Sequence, residues 1–195
     1  MNFSSLARTA LLVGALVGVT SATAQAQILS GSAASAVALK GTKIEMLTLN
    51  VAGVLNTNAD LAASANLGNL TATLDWSLSP SRGSVSLVGY FSTAYALTDG
   101  GGNDVAPTAF LGACTSASLA GGACSATLAG FTGSDVVVAG GGASLTLWSS
   151  PAITGLLRNQ TGVAVGLNFQ LDPTVVAALP AGVYQGTLYL RAYAQ

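Results

Sequence analysis

Apolar and polar residues alternate along most of this chain, and alternation with a period of two is typical of a β-strand that buries one face. The clearest run is residues 70–78, in which Leu70, Leu74 and Trp76 share one face and Thr, Asp and Ser side chains share the other. Residues 162–171 repeat the pattern with Val, Leu and Phe on one face. Because helical periodicity is almost absent, the sequence predicts an all-β fold.

Turn residues divide the chain into short segments. Residues 79–83 read Ser-Pro-Ser-Arg-Gly, which suits a type I turn and predicts a hairpin between strand 70–78 and a partner strand at 84–91. Further strands are expected at 43–51, 134–138, 143–148, 162–171 and 183–194, and loops at 56–69 and 98–107. About seven or eight short strands with Gly, Pro and Asn turns are typical of an immunoglobulin-like antiparallel β-sandwich.

Two short segments carry information beyond simple alternation. In strand 43–51, Ile44 and Met46 are out of phase with the three apolar residues that follow, which predicts a β-bulge or a strand that changes partner. Further along, Asp172 and Pro173 suit the N-cap and first position of a short helical turn. We expect that turn to carry the chain from one sheet to the other.

The first residues have the features of a targeting segment. Arg8 precedes an apolar run at 10–19, and Ala24-Gln25-Ala26 follows it, which is typical of a Sec-type signal peptide. An N-terminal membrane anchor is the alternative, but about ten apolar residues are too few to span a bilayer. The sequence therefore predicts a signal peptide at 1–26, one domain at 27–195, and a periplasmic, cell-surface or extracellular location.

Two cysteines, Cys114 and Cys124, lie in a segment rich in Gly, Ala and Ser. Because an exported chain meets an oxidising compartment, we expect them to form an intramolecular disulfide. A zinc site is the alternative for paired cysteines. It would lack ligands here, because the chain has no histidine and no third cysteine.

Charged residues are rare, at 7% of the chain, and the formal net charge is −1. That charge offers no basic surface for nucleic acid. With no histidine, and with Glu45 as the only glutamate, the familiar nucleophile and base arrangements cannot be built. The segment from Asp99 to Asp104 resembles one calcium loop of nonapeptide-repeat proteins, but those loops require stacked copies, so it predicts an exposed hairpin loop. The sequence thus predicts no catalysis and no cofactor or metal.

The C-terminal stretch contains a glycine and a tyrosine, Gly182 and Tyr184, just before the last alternating run. This pair resembles the tyrosine corner of immunoglobulin-like sandwiches, in which the hydroxyl is bonded back to the preceding connection. An ordinary strand aromatic is the alternative interpretation of Tyr184. The corner strand is second to last in such domains, whereas this sequence ends at Gln195.

Residues 180–195, with the pattern Ala-Gly-x-Tyr-x-Gly-Thr and the near-terminal Tyr193, resemble the end of chaperone-usher pilins and of the related spore coat U type proteins. This resemblance implies a sandwich that lacks a strand, completed first by a periplasmic chaperone and later by a neighbouring subunit. The mature N-terminus offers a candidate donor strand. Its residues of one parity are Leu29, Gly31, Ala33, Ser35, Val37 and Leu39.

The position of the cysteines departs from the pilin pattern, in which a disulfide joins an early strand to its neighbour. Donation to another molecule and closure of the chain's own sandwich therefore both stay open, and the disulfide favours internal closure. The function predicted is a noncatalytic exported structural or surface subunit, fimbria-like and self-associating. The alternatives are a secreted ligand-binding or carbohydrate-binding sandwich and a small outer-membrane β-barrel.

Overall fold

Two antiparallel β-sheets carry most of the regular structure in the computed structural model, which describes residues 43–55, 66–134 and 142–195. The first sheet has the order β1 (Met46–Ala52), β2 (Asn66–Ser77), β11 (Asn159–Leu171), β6 (Phe110–Ala117) and β8 (Ala129–Gly130). The second has the order β12 (Tyr189–Ala194), β3 (Val85–Tyr90), β10 (Ala143–Ser149) and β7 (Ala123–Cys124), and β9 (Gly133–Ser134) also pairs with β10. The predicted all-β sandwich is confirmed.

Short elements lie between the main strands. A two-stranded hairpin, β4 (Leu97–Thr98) with β5 (Asp104–Val105), follows β3. Single turns of 3₁₀ helix at Pro107–Ala109 and Gly155–Arg158 lead into β6 and β11, and helix α1 (Pro173–Ala178) follows β11. The Asp172 carboxylate accepts from Thr174 N at 2.9 Å, as expected of an N-cap, and α1 carries the chain from the first sheet to the second, as predicted.

The core lies between the two sheets and is almost entirely apolar. The inward residues of β11 are at most 3% exposed, which confirms the face predicted for residues 162–171. Trp76 from the first sheet faces Trp148 from the second, with ring centroids 6.4 Å apart. Four phenylalanines form a connected group of edge-to-face and tilted contacts at the other end of the core: Phe91, Phe110, Phe131 and Phe169.

The hairpin predicted between residues 70–78 and 84–91 is wrong. The turn itself exists, because Arg82 N donates to Ser79 O at 3.2 Å. However, β2 and β3 belong to different sheets, so this turn crosses the sandwich. Both edges of β2 are already paired, with β1 on one side and β11 on the other, so no edge is left for β3. Turn residues specify a reversal of direction, whereas the partner of the next strand depends on distant parts of the chain.

The β-bulge predicted in the first strand is also wrong. β1 pairs with β2 without a register shift, from Met46 opposite Ser77 to Ala52 opposite Thr71. The phase changes because Ile44 precedes the strand and is 82% exposed, while Met46 lies on the outer face. Register shifts occur instead in the pairings of β10 and β11, both of which are central strands.

Other predicted boundaries move by a few residues. The predicted loop 56–69 contains the first residues of β2, the loop 98–107 contains most of the β4–β5 hairpin, and the last strand begins at Tyr189, later than residue 183. Of the strand predicted at 134–138, only Ser134 lies within the described residues, at the end of β9.

A substitution at the centre of β11 tests this core. Leu167 is fully buried, so Leu167→Ala should lower the free energy of unfolding by about 2–5 kcal/mol, through lost burial and the cavity left behind. Leu156→Ala is the matched control, because Leu156 is 91% exposed and its loss should change stability by less than about 0.5 kcal/mol. Urea unfolding followed by tryptophan fluorescence measures both, and equal effects would contradict the core assignment.

Candidate functional site

The outer edge of β12 is the first feature that bears on function. β12 pairs with β3 alone among the described strands. Gln195 and Ser84 exchange two backbone hydrogen bonds, at 3.0 and 3.3 Å. In an antiparallel pair, residues alternate between those whose backbone groups bond the neighbouring strand and those whose groups point away from it, so this pair sets the alternation for all of β12. The backbone N–H and C=O groups of Leu190, Ala192 and Ala194 consequently point away from β3. They form a row of strand-pairing groups along one side of the sandwich.

The side chains of these same three residues point inward but are only half-buried, and they pack against the core. β1 is the corresponding edge of the first sheet, and several of its Cα atoms lie within 8 Å of Cα atoms in β12. Its inward residues Leu47 and Leu49 are half-buried, and Val51 is 39% exposed. We call this side of the sandwich, lined by Leu47, Leu49, Val51, Leu190, Ala192 and Ala194, the open side.

The open side contrasts with the rest of the interior. On the neighbouring strands β2 and β3, the inward residues Leu74 and Leu87 have no exposure. Apolar surface left in contact with water costs roughly 25 cal/mol per Å² relative to burial. Counting only the described residues, the open side thus combines backbone groups that have no strand partner with incompletely buried apolar side chains, which is the chemical requirement for adding one more strand.

A polar anchor fixes the chain where it enters β1. One carboxylate oxygen of Glu45 accepts from Ser79 N at 2.8 Å, and the other lies 3.2 Å from the Arg82 guanidinium. Hydrogen bonding to Ser79 and then to Arg82 lowers the pKa of Glu45 to about 2. Arg158 supports the same turn from within, because its Nη1 donates to Ser79 O at 2.6 Å and to Arg82 O at 3.3 Å.

The end of β12 reaches this same turn. Gln195 O accepts from Gly83 N at 2.5 Å. Gly83 directly follows Arg82, which contacts Glu45. β1 therefore begins, and β12 ends, at the same end of the sandwich. In the sequence Glu45 stands out only as the single glutamate and Arg82 only as a turn residue, and their spacing gives no signal that the two meet.

The two cysteines form the predicted disulfide. Cys114 lies within β6 of the first sheet and is 1% exposed, while Cys124 lies in β7 of the second sheet. The bond therefore closes the intervening loop and also joins the two sheets covalently. Trp148 pairs with Cys124 in the β10–β7 ladder, so the indole and the disulfide belong to the same region of the core.

The pair Gly182 and Tyr184 lies in the connection between α1 and β12. The Tyr184 hydroxyl donates to Pro180 O at 3.1 Å, four residues upstream. Burial, and secondarily the charge of Asp99, raises the pKa of Tyr184. Gly182 does not have a positive φ, and a Cβ there would meet the Tyr184 ring at an ordinary 3.6 Å, so this position does not require glycine.

The segment from Asp99 to Asp104 is an exposed hairpin loop between β4 and β5, as predicted. The Asp99 carboxylate accepts from the Asn103 side chain at 2.6 Å and from Gly101 N at 2.7 Å. These bonds, the Asn103 side chain first, lower the pKa of Asp99. Within the described residues, no three His, Cys, Asp or Glu side chains come together around a metal position.

The candidate donor residues from Leu29 to Leu39, and the predicted signal peptide, lie outside the described residues. No helix in the described part of the chain is long and apolar enough to cross a membrane. Comparison with known proteins finds no match: no family model, no curated protein and no solved structure is similar to this chain.

The Glu45 anchor has a defined pH dependence. Because its pKa falls from 4.5 to about 2 in the folded protein, the anchor stabilises the fold at neutral pH, and this contribution is lost as the pH falls from about 5 towards 2. The difference in melting temperature between the natural protein and Glu45→Gln should therefore shrink across this range. Thermal unfolding at a series of pH values measures it, and a difference that stays constant to pH 2 would contradict the anchor.

The disulfide should stabilise the fold by closing the loop between the two sheets. Reduction should lower the free energy of unfolding by about 2–4 kcal/mol. Intact-mass analysis should show a two-hydrogen gain on reduction and no free thiol before it. Denaturant unfolding of the oxidised protein, and of the reduced protein with blocked thiols, measures the difference. Ala120→Ser changes an exposed residue of the bridged loop and leaves the disulfide in place, so it is the control and should leave the free energy of unfolding unchanged. Equal stability of the oxidised and reduced forms would argue against a bond between the sheets.

Proposed function

We propose that this protein is a noncatalytic exported structural subunit that assembles by strand addition at its open side. The observation that carries the proposal is the combination found there: outward backbone groups of Leu190, Ala192 and Ala194, with half-buried apolar side chains beneath them. Strand addition satisfies both at once, because the backbone groups gain partners and the side chains lose contact with water. The resemblance of residues 180–195 to pilin-like subunits supports the same assignment.

The proposed donor is residues 27–40 of a second copy. Their alternating residues match the period of a strand, and within this segment there is no charged residue before Lys40. Fourteen extended residues span roughly 46 Å at about 3.3 Å per residue. That length exceeds the roughly 20 Å of the six-residue β12, so the segment is long enough to cover the whole open side.

The position of Glu45 favours donation between molecules over internal closure. β12 runs towards the end of the sandwich at which Glu45 is anchored. A preceding segment that folds directly back along its own β12 would run parallel to it, which is the less stable pairing. A segment that continues past this end enters the next copy antiparallel to its β12. The preference for internal closure, based on the cysteine positions, is therefore reversed in this proposal.

Export and a chaperone belong to the same proposal. The predicted signal peptide at 1–26 supplies the export route. A disulfide between the sheets is compatible with an oxidising compartment. In that compartment an open side would pair indiscriminately, so a periplasmic chaperone that covers it before assembly is the expected partner.

Carbohydrate binding is the second candidate, and one observation favours it. Tyr90 and Tyr189 stack with ring centroids 5.2 Å apart and an interplanar angle of 19°, and Tyr189 is 42% exposed. An exposed aromatic ring is a suitable surface on which a sugar ring can stack. If this surface binds sugar, titration with soluble glycans should change the tyrosine spectra of the natural protein but not those of Tyr189→Ala. Saturable binding that this substitution abolishes would favour the second candidate.

Deleting residues 27–40 tests the main proposal. We expect a folded monomer that no longer associates, because each of Leu29, Val37 and Leu39 is worth roughly 1.5–3 kcal/mol when fully buried. Sedimentation velocity measures association, and urea unfolding measures the monomer. Val37→Asp should weaken association in the same direction, while Ser35→Ala, of the same parity, is its control.

Two outcomes would contradict intermolecular donation. A deletion that destabilises the monomer by several kcal/mol would favour closure within one molecule. Unchanged association and unchanged stability would refute strand addition in either form.

A further inference from the structure

The outer face of the second sheet carries a group of long side chains. The outward residues of β12 are two tyrosines and one arginine, namely Tyr189, Arg191 and Tyr193. β3 adds Tyr90 directly opposite Tyr189, and the two rings stack with centroids 5.2 Å apart. We call Tyr90, Tyr189, Arg191 and Tyr193 the tyrosine–arginine surface. It lies on the face of the sheet, whereas the open side lies along its edge, so an occupant of one leaves the other free.

Arg191 is the only charged residue among the described residues of this face. The outward residues of β3 and β10 in the same rows are uncharged: Ser86, Val88, Tyr90, Ser144, Thr146 and Ser149. Within the part of the chain that the structure describes, Arg191 forms no ion pair. The tyrosine–arginine surface therefore offers one positive charge that no neighbouring acid neutralises.

One nitrogen of the Arg191 guanidinium also lacks a hydrogen-bond partner. Its Nη1 is buried, and no described residue accepts from it. A buried donor without an acceptor is unfavourable, because it has lost water and gained nothing in return. Arg191 as a whole is half-buried, so it stays in contact with solvent, from which an anion can approach. A carboxylate is a suitable anion, because its two oxygens accept two parallel N–H bonds from one guanidinium.

The tyrosines supply a second kind of contact. Tyr189 is 42% exposed, and its stack with Tyr90 limits its freedom before any ligand arrives. Successive outward residues of a strand are two positions apart, or roughly 6.6 Å at about 3.3 Å per residue. A sugar ring stacked on Tyr189 therefore brings a carboxylate, on that ring or on the next one, close to Arg191.

We propose that the tyrosine–arginine surface binds an acidic polysaccharide, whose sugar rings stack on Tyr189 and whose carboxylate pairs with Arg191. This inference rests on the second candidate function, carbohydrate binding, and names the class of its ligand. A polymer of uronic acids carries both required groups, a sugar ring and a carboxylate, in every unit. A neutral glycan lacks the anion that the guanidinium calls for, and the polymer can continue along β12 towards Tyr193.

A matched pair of ligands tests the carboxylate. The first is oligogalacturonate, and the second is the same oligomer after methyl esterification, which removes the charge and keeps the sugar rings and linkages. Isothermal titration calorimetry is done at about 0.15 M sodium chloride, where attraction between distant surface charges is largely screened. The natural protein should bind the acid saturably and the ester at least about tenfold more weakly.

Substitutions test the protein side of the same contact. Arg191→Gln should bind the acid at least about tenfold more weakly and lose the preference for acid over ester. Tyr189→Ala should weaken the binding of both ligands. Lys43→Gln is the matched control, because Lys43 is exposed just before β1 of the first sheet and its loss removes the same charge. It should leave binding unchanged, and thermal unfolding verifies that each variant is folded.

The variant that lacks residues 27–40 separates this inference from strand addition. Because the tyrosine–arginine surface lies outside the open side, this variant should bind the acid as tightly as the natural protein, whatever its state of association. Weaker binding by the deletion variant would show that the two surfaces are not separate and would overturn the inference.

Four further results would overturn the inference: an ester that binds as tightly as the acid, natural affinity in Arg191→Gln, natural affinity in Tyr189→Ala, or equal losses in Lys43→Gln and Arg191→Gln. If the ester binds as tightly as the acid and Tyr189→Ala abolishes both, carbohydrate binding survives and only its acidic ligand class is refuted. If neither ligand binds saturably, this inference fails for want of any acidic ligand. Saturable binding of other, neutral glycans would then still favour the second candidate function.

Discussion

The turn that follows β2 is the place where several parts of the sandwich meet, and Arg158 holds it by hydrogen bonds. With Nη1 on Ser79 O and Arg82 O, the guanidinium holds the chain where it leaves the first sheet for the second. The entry to β1, the end of β12 and the connection before β11 all meet this turn. In a chain with 7% charged residues, a single arginine bonded to two carbonyls is therefore a central contact.

The interior depends on shape more than on polar contacts. Trp76 donates its indole N–H to Leu157 O at 2.7 Å, which ties the core to the same end that Arg158 organises. Glycine provides the space for the large rings: a Cβ on Gly122 would lie 2.6 Å from Trp148 Nε1, and one on Gly89 would lie 2.9 Å from the Phe131 ring. The many glycines of this chain are thus partly explained by close packing against aromatic side chains.

The sequence predicted those features that depend on local pattern. The inward face of β11, the cap at Asp172 and the disulfide partners follow from alternation, local hydrogen bonding and the pairing of two cysteines, and each is present. The main failure concerns a long-range choice. The turn at Ser79 has the right local chemistry, but strand pairing was decided by β11, whose residues lie 80 or more positions later. The meeting of Glu45 with Arg82 depends on the same pairing and could not be read from spacing.

Within the described residues, the two edge strands of the open side have few of the features that usually protect an edge strand. β12 pairs with β3 without a bulge, contains no proline, and has Arg191 as its only charged residue, on the outer face. β1 has an unbroken register and no charge between Met46 and Ala52. An unprotected edge with apolar residues beneath it would associate at random in a free monomer. The proposed strand addition accounts for this edge, because a dedicated partner strand would satisfy its backbone groups and cover its apolar side chains.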